Sequence, residues 1–187
     1  MTVSSTSRAT LDDLHREERK AELIGGRVVR YAASGDLPSA VAGDIFVSLR
    51  LHTKATGRGA AYPDGIGYAV PVLPSGRQSF SPDASSYAGP RPANRMRFIE
   101  GPPTFAVEVR SENDYGPAAE ADIAAKRADY FAAGTLVVWD VDPLGETITA
   151  YGAGDPAKPA VYRPGDVADA ESGVPGWRVA VRDVFAG

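Results

Sequence analysis

The pattern of apolar and polar residues predicts a chain of alternating helices and short strands. Two β-prone runs, residues 21–24 and 27–31, flank a pair of glycines, which is typical of a tight hairpin. Before them, Thr10 is placed to cap a short charged helix that we expect to run to about Arg19. Apolar positions with helical spacing then predict a longer helix over residues 39–56, which a following glycine ends.

The middle of the chain predicts a sheet with one more helix. Two strands are expected over residues 60–70 and 78–88, and a third over residues 104–109, where one glutamate interrupts an apolar run. Residues 117–133 have helical spacing between a proline suited to the first helical position and a closing glycine. The continuous apolar run 136–139 is typical of a central strand that is covered on both faces.

Three further strands complete the pattern, at residues 147–151, 160–162 and 177–181. This order of elements predicts a mixed α/β, or α+β, sheet with helices packed against it. A chain of 187 residues fits one domain, residues 10–187, preceded by a flexible tail over residues 1–9 that is rich in serine and threonine.

Composition narrows the class of protein. The chain has no cysteine, which excludes disulfides, thiolate catalysis and zinc held by cysteines, and which fits the reducing cytoplasm. No apolar run approaches the roughly 18 residues of a membrane helix, so we expect no membrane contact. The net charge of −4 argues against a protein that coats nucleic acid through bulk electrostatics. His15 and His52 lie in polar segments and are expected on the solvated surface.

Glu108 is the one acid in an otherwise apolar strand, where a carboxylate is costly unless it is paired or bound to a metal. Strand alternation places Glu108 and Arg110 on one face, and Val107 and Val109 on the other. An ion pair between Glu108 and Arg110 is therefore an alternative to a functional role.

Three other candidates also have an ordinary interpretation. Asp83 follows Pro82 in a dipeptide that is common in turns. Lys126 can pair with Asp122 one helical turn earlier, or extend its charge to solvent along an apolar surface. Glu22 stands near the start of a strand, which is a common position for an exposed acid.

Taken together, Asp83, Glu108 and Lys126 suit metal-assisted cleavage of phosphodiesters. Mg²⁺ or Mn²⁺ takes oxygen ligands from one or two carboxylates, which Asp83 and Glu108 can supply from the ends of adjacent strands. Such a metal acidifies the attacking water and neutralises charge at phosphorus, while a lysine orients the water or stabilises the developing charge. Glu22 could reach the same pocket as a further ligand or an orienting group.

Two basic segments are candidates for weak contacts to nucleic acid. One is the end of the helix at residues 39–56, and the other is a loop over residues 87–97 that is rich in proline and arginine. The basic residues concerned are Arg50, Lys54, Arg58, Arg91, Arg95 and Arg97. The sequence shows no recognition helix, zinc module or aromatic RNA-binding strand that would decide between DNA and RNA.

Three motifs follow one another in the chain: Pro82-Asp83, Phe105-Ala106-Val107-Glu108-Val109-Arg110-Ser111 and Lys126-Arg127-Ala128-Asp129-Tyr130. In this order and spacing they resemble the bacterial Uma family of restriction-endonuclease-like proteins, which belongs to the PD-(D/E)xK phosphodiesterase superfamily. The hairpin at residues 21–28 and several segments after residue 133 resemble the family too. The likeness covers about residues 11–185 and rests on the order of the motifs rather than on any one of them.

The resemblance implies a restriction-endonuclease-like core with site roles at four positions: Glu22, Asp83, Glu108 and Lys126. The chain differs from the plain superfamily motif because Arg110 stands where a lysine is expected two residues after the glutamate. The candidate lysine, Lys126, comes instead from the next helix. Many relatives also have a histidine near the start of the second helix, where this chain has Pro38-Ser39-Ala40.

We therefore expect a Mg²⁺-dependent endonuclease that hydrolyses nucleic acid, with DNA as the expected polymer. The alternatives are a non-catalytic nucleic-acid-binding protein that kept the nuclease fold, and a self-associating module. An exposed apolar edge on the strand at residues 177–181 would favour a homodimer, which many nucleases use to cut both strands.

Overall fold

The structure of residues 8–186 is a computed structural model. Its helices are α1 (Leu11–Leu14), α2 (Asp36–Thr56), α3 (Pro117–Ala133) and α4 (Val181–Val184). Its strands are β1 (Ala21–Ile24), β2 (Arg27–Arg30), β3 (Ala60–Pro63), β4 (Tyr68–Ala69), β5 (Ser79–Phe80), β6 (Ala84–Tyr87), β7 (Ile99–Glu100), β8 (Phe105–Val109), β9 (Val137–Asp142), β10 (Thr147–Gly152), β11 (Ala160–Tyr162), β12 (Val167–Asp169) and β13 (Arg178–Ala180).

A six-stranded sheet in the order β11-β10-β9-β8-β6-β3 forms the centre of the fold. Only β8 and β9 pair in parallel within this sheet, and the other neighbours are antiparallel. A parallel pair needs a long crossover connection, and α3 is that connection. The predicted mixed sheet with packed helices is therefore confirmed.

The two sides of β8 pack into two different hydrophobic cores. Phe105, Val107 and Val109 belong to a core formed with α2, whereas Ala106 belongs to a second core that includes Tyr130 of α3. This is the alternation expected of a strand covered on both sides. Because Glu108 follows the same alternation as Ala106, it lies on the face that α3 covers.

The long strands expected over residues 60–70 and 78–88 were wrong. The chain forms four short strands there, and β4 and β5 leave the main sheet to join β7 in a separate three-stranded sheet. Pro63 in the first run and Pro82 in the second cannot donate to a strand ladder, and Gly65 has a positive φ of 90°. These residues divide the two runs into pieces.

The first helix also ends earlier than expected. α1 stops at Leu14 rather than near Arg19, although its N-terminus has the predicted cap, with Thr10 and Asp13 bonded to each other. His15 is not on the solvated surface. Its side chain is 17% exposed and packs edge-on against Phe98, and neither ring nitrogen has a hydrogen-bond partner among residues 8–186.

Two observations concern the ends of the chain. Residues 1–7 of the predicted tail lie outside the described residues, but Ala9 is held, since its N–H donates to the Gly26 carbonyl at 2.9 Å. Near the other end, Trp177, Val179 and Val181 are buried in the core, so the strand there exposes no apolar edge. Among the described helices, none is long and apolar enough to cross a membrane.

We expect Phe105→Ala to lower the free energy of unfolding by about 3–5 kcal/mol, because it leaves a cavity in a tightly packed core. Phe105 is fully buried, with ring centroids 5.1 Å from Trp139 and 5.6 Å from Trp177. Urea denaturation measures the change. Leu51→Ala, at a position 65% exposed on α2, is the control and should change stability by less than about 0.5 kcal/mol. Equal effects of the two substitutions would contradict the assigned core.

Candidate active site

Asp83 and Glu108 lie side by side at the end of two paired strands. Asp83 immediately precedes β6, and the register that pairs Ala84 with Val107 places it next to Glu108 of β8. The backbone N–H of Asp83 donates to the Val107 carbonyl at 3.0 Å, and Val109 N–H donates to Asp83 Oδ2 at 2.8 Å. Sheet hydrogen bonds thus fix the Asp83 carboxylate beside the strand that carries Glu108.

Glu108 is bound by two side chains from α3. Lys126 Nζ donates to Glu108 Oε2 at 2.7 Å, and Tyr130 Oη donates to Oε1 at 2.6 Å. Lys126 and Tyr130 are four residues apart, so both lie on the same face of the helix. Glu108 does not pair with Arg110, nor Lys126 with Asp122, so neither alternative ion pair forms.

Glu22 is fully buried, and four donor groups contact its carboxylate. Oε1 accepts from Ser81 N–H at 2.9 Å and lies 3.3 Å from Lys126 Nζ. Oε2 accepts from Tyr31 Oη at 2.8 Å and from the Arg77 guanidinium. With its side chain 0% exposed and both oxygens engaged twice, Glu22 is placed as a counter-ion to Lys126 and Arg77 rather than as a ligand open to solvent.

The structure adds Lys20 and Asp64, which the sequence analysis missed. Lys20 Nζ lies 2.6 Å from Asp83 Oδ1 and 2.6 Å from Asp64 Oδ1. One signal was present for Lys20, because it stands two residues before Glu22 and strand alternation puts both on one face. Asp64 had no such signal.

Two further residues next to Glu22 were also missed. Arg77 reaches Glu22 through Nη1 and donates from Nε to Asp129 Oδ2 at 2.9 Å. Arg77 is buried in a loop whose sequence has no periodic pattern. The sequence therefore carries no indication of its partners. Tyr31 reaches Glu22 because it directly follows β2, the strand paired with β1.

Arg110 occupies the position where the superfamily motif has its lysine, but it points to other partners. It donates to both oxygens of Asp140, at 2.8 and 2.7 Å, and also to the carboxylate of Glu120 on α3. Asp140 lies opposite Glu108 in the parallel register of β8 and β9. Arg110 therefore fastens the start of α3 to the sheet, and Lys126 takes the place beside Glu108.

A family model described as "Putative restriction endonuclease", Uma2, matches residues 8–182. The chain belongs to this family. One solved structure, described as a "putative nuclease belonging to DUF820 from Anabaena variabilis ATCC 29413", superposes on it with a TM-score of 0.72 and 19% sequence identity. The match covers 95% of this chain and 97% of the other, and it shows a shared fold. No curated protein matches the chain.

Whether this Uma2 protein can hold a divalent cation depends on the oxygen ligands that its side chains offer. Within residues 8–186, no three histidine, cysteine or acidic side chains converge as a metal-binding group. Mg²⁺ needs only one or two carboxylates, with water filling the remaining positions, so Asp83 and Glu108 suffice in number and chemistry. The ammonium of Lys20 against Asp64 and Asp83 shows that this position attracts positive charge.

A cavity of about 170 Å³ opens beside these carboxylates. Asp64 and Asp83 line it on one side, and Pro38, Ser39 and Phe46 of α2 line it on the other. Pro38 and Ser39, which stand where the resemblance implied a histidine, thus line the cavity together with Asp83. The N-terminal part of α2 forms the wall of the candidate site.

The predicted basic residues lie away from these carboxylates. Arg50 and Lys54 lie about 6 and 12 Å along α2 beyond Phe46, the last residue of the helix that lines the cavity. Arg58 follows the end of the helix. The loop that carries Arg91, Arg95 and Arg97 begins after β6, whose opposite end carries Asp83. These residues are exposed, and none of them lines the cavity beside Asp83.

The charges of the site shift the pKa values in different directions. Burial raises the pKa of Glu108, and Lys126 only partly offsets this. For Glu22, burial also acts upward, but Lys126 and Arg77 outweigh it and lower the pKa. Burial alone would lower the pKa of Lys126, but Glu108 and Glu22 raise it, so the lysine stays protonated at neutral pH.

We expect Lys126→Met to destabilise the protein by about 3 kcal/mol at neutral pH, because it leaves the buried Glu22 with Arg77 as its only cation. Chemical denaturation measures the loss. Lys158→Met is the matched control, because Lys158 is 84% exposed, and it should have little effect. An equally small effect at Lys126 would show that Arg77 alone neutralises Glu22.

The lowered pKa of Glu22 predicts a pH-dependent contribution to stability. A carboxylate whose pKa falls on folding stabilises the fold above its ordinary pKa of 4.5, and this contribution is lost as pH falls through the folded value. The difference in unfolding free energy between the protein and Glu22→Gln should therefore shrink from about pH 6 to about pH 3. Glu112→Gln, at an exposed position, controls for removing a carboxylate. A difference that stays constant or grows would contradict the prediction.

Proposed function

We propose that this Uma2 protein is a Mg²⁺- or Mn²⁺-dependent endonuclease that hydrolyses phosphodiester bonds of nucleic acid, with DNA as the substrate polymer. The observation that supports this best is the contact of Lys126 with Glu108, beside Asp83 at the end of the paired strands. Family membership adds to it, since the family model is described as "Putative restriction endonuclease".

In this proposal Asp83 and Glu108 hold the divalent cation. When bound, that cation supplies an acidified water and neutralises charge on the reacting phosphate. Lys126 stays protonated, so it acts as a hydrogen-bond donor that stabilises developing negative charge, and it does not serve as the base. Glu22 keeps the lysine charged and fixes its ammonium next to Glu108.

The proposal is tested with plasmid DNA and with an RNA of matched sequence, each incubated with Mg²⁺ or Mn²⁺. We expect cleavage of DNA that chelation abolishes, and a rate at least about 100-fold lower in Asp83→Asn and Glu108→Gln. Glu112→Gln removes an exposed acid just beyond β8 and should cut at the normal rate. Cleavage that survives in Glu108→Gln would exclude this site, and cleavage of RNA alone would change the substrate.

A second candidate is a non-catalytic nucleic-acid-binding or self-associating protein with the nuclease fold. One observation favours it, since all four carboxylate oxygens of Asp83 and Glu108 already accept from protein donors. Under this alternative, DNA binds in a mobility-shift assay at low salt, and is not cut with either metal. Sedimentation of the free protein then separates a monomer from a homodimer.

A further inference from the structure

Lys20 has no role in the reaction proposed above, yet its ammonium occupies the edge of the site. It precedes the first hairpin strand, and its carbonyl accepts from Tyr31 N–H at 3.0 Å, which fixes its backbone. Its Nζ lies 2.6 Å from an oxygen of Asp83 and 2.6 Å from an oxygen of Asp64. The side chain is 19% exposed, so the ammonium is largely enclosed by these two acids.

The contact with Lys20 matters because it occupies the carboxylate oxygen of Asp83 that the backbone leaves open. Its Oδ2 is taken by the N–H of Val109, and Oδ1 is the atom that Lys20 contacts. A second cation at the same oxygen would stand against the ammonium at a few ångströms, where like charges repel strongly in a partly buried site. Lys20 and a divalent cation therefore compete for Asp83.

We propose that Lys20 holds the cation position at Asp83 in the metal-free protein and moves off Asp83 when a divalent cation binds. Its charge then sets how tightly the site takes the metal. Asp64 is the second anchor, and its side chain is 49% exposed, so Lys20 can keep that contact while it turns toward solvent. This inference rests on the metal dependence proposed above.

The first test compares Mn²⁺ binding by isothermal titration calorimetry in the protein and in Lys20→Met. Loss of the competing charge should tighten binding by about tenfold or more. Lys20→Arg keeps the charge and should bind no more tightly than the unmodified protein, which separates charge from packing. Lys158→Met removes an exposed lysine and should leave the affinity unchanged. Unchanged or weaker binding in Lys20→Met overturns the inference.

A second test needs no variant at Lys20 and so does not depend on how that variant folds. The chain has four lysines, at positions 20, 54, 126 and 158, so amine acylation can be followed for each by mass spectrometry. Saturating Mg²⁺ should make Lys20 react several-fold faster while Lys158 does not change. In Asp83→Asn, Mg²⁺ should give no such acceleration. A Lys20 rate that bound Mg²⁺ leaves unchanged overturns the inference.

The outcomes distinguish this inference from the proposed function. If the protein binds Mn²⁺ and Lys20→Met binds it no more tightly, the role of Lys20 is wrong and the metal-dependent nuclease stands. If neither form binds Mn²⁺ or Mg²⁺, both proposals fail.

Discussion

The buried carboxylate of Glu22 is the constraint on which the rest of the site depends. A charged group with no solvent exposure must be neutralised by cations brought in from elsewhere in the chain. Lys126 and Arg77 do this, the first from α3 and the second from the loop before β5. The ion pairs of Glu22 therefore have two effects. They hold the first hairpin against the remainder of the molecule, and they fix the Lys126 ammonium beside Glu108.

The parallel pairing of β8 and β9 explains how a lysine from a helix can stand in for one from the strand. The crossover places α3 over the face of β8 that carries Glu108, so Lys126 and Tyr130 reach both oxygens of that carboxylate. Arg110 does not contact Glu108. It bridges Asp140 and Glu120 instead, and so fastens the start of α3 to the sheet. Arg110 thus supports the helix that brings Lys126 to Glu108.

What the sequence predicts well is what local chemistry determines. The bounds of α3 follow from Pro117 and from Gly134, which takes a left-handed φ of 107°, and β9 follows from its apolar run. Glu108 was detectable because it interrupts an apolar strand. By contrast, Lys20 meets Asp83 across 63 residues and Arg77 meets Glu22 across 55, and no local pattern encodes such contacts. Between residues 60 and 88, the prolines and Gly65 that shorten the strands are visible in the sequence, but the sheet that each strand joins depends on distant partners such as β7.

The charges of the side chains that are joined to Glu22, Asp83 and Glu108 do not balance, and this supports a bound cation independently of ligand geometry. Five carboxylates are joined by these contacts: Glu22, Asp64, Asp83, Glu108 and Asp129. Among residues 8–186, the cations in contact with them are Lys20, Arg77 and Lys126, so two negative charges remain in excess when all five are ionised. Like charges at such short range raise the pKa of the carboxyl they surround, and Asp83 and Glu22 add to burial in raising that of Glu108. In the proposed function, a single divalent cation beside Glu108 would cancel this excess, and it would do so next to the carboxyl whose pKa burial and neighbouring charge raise.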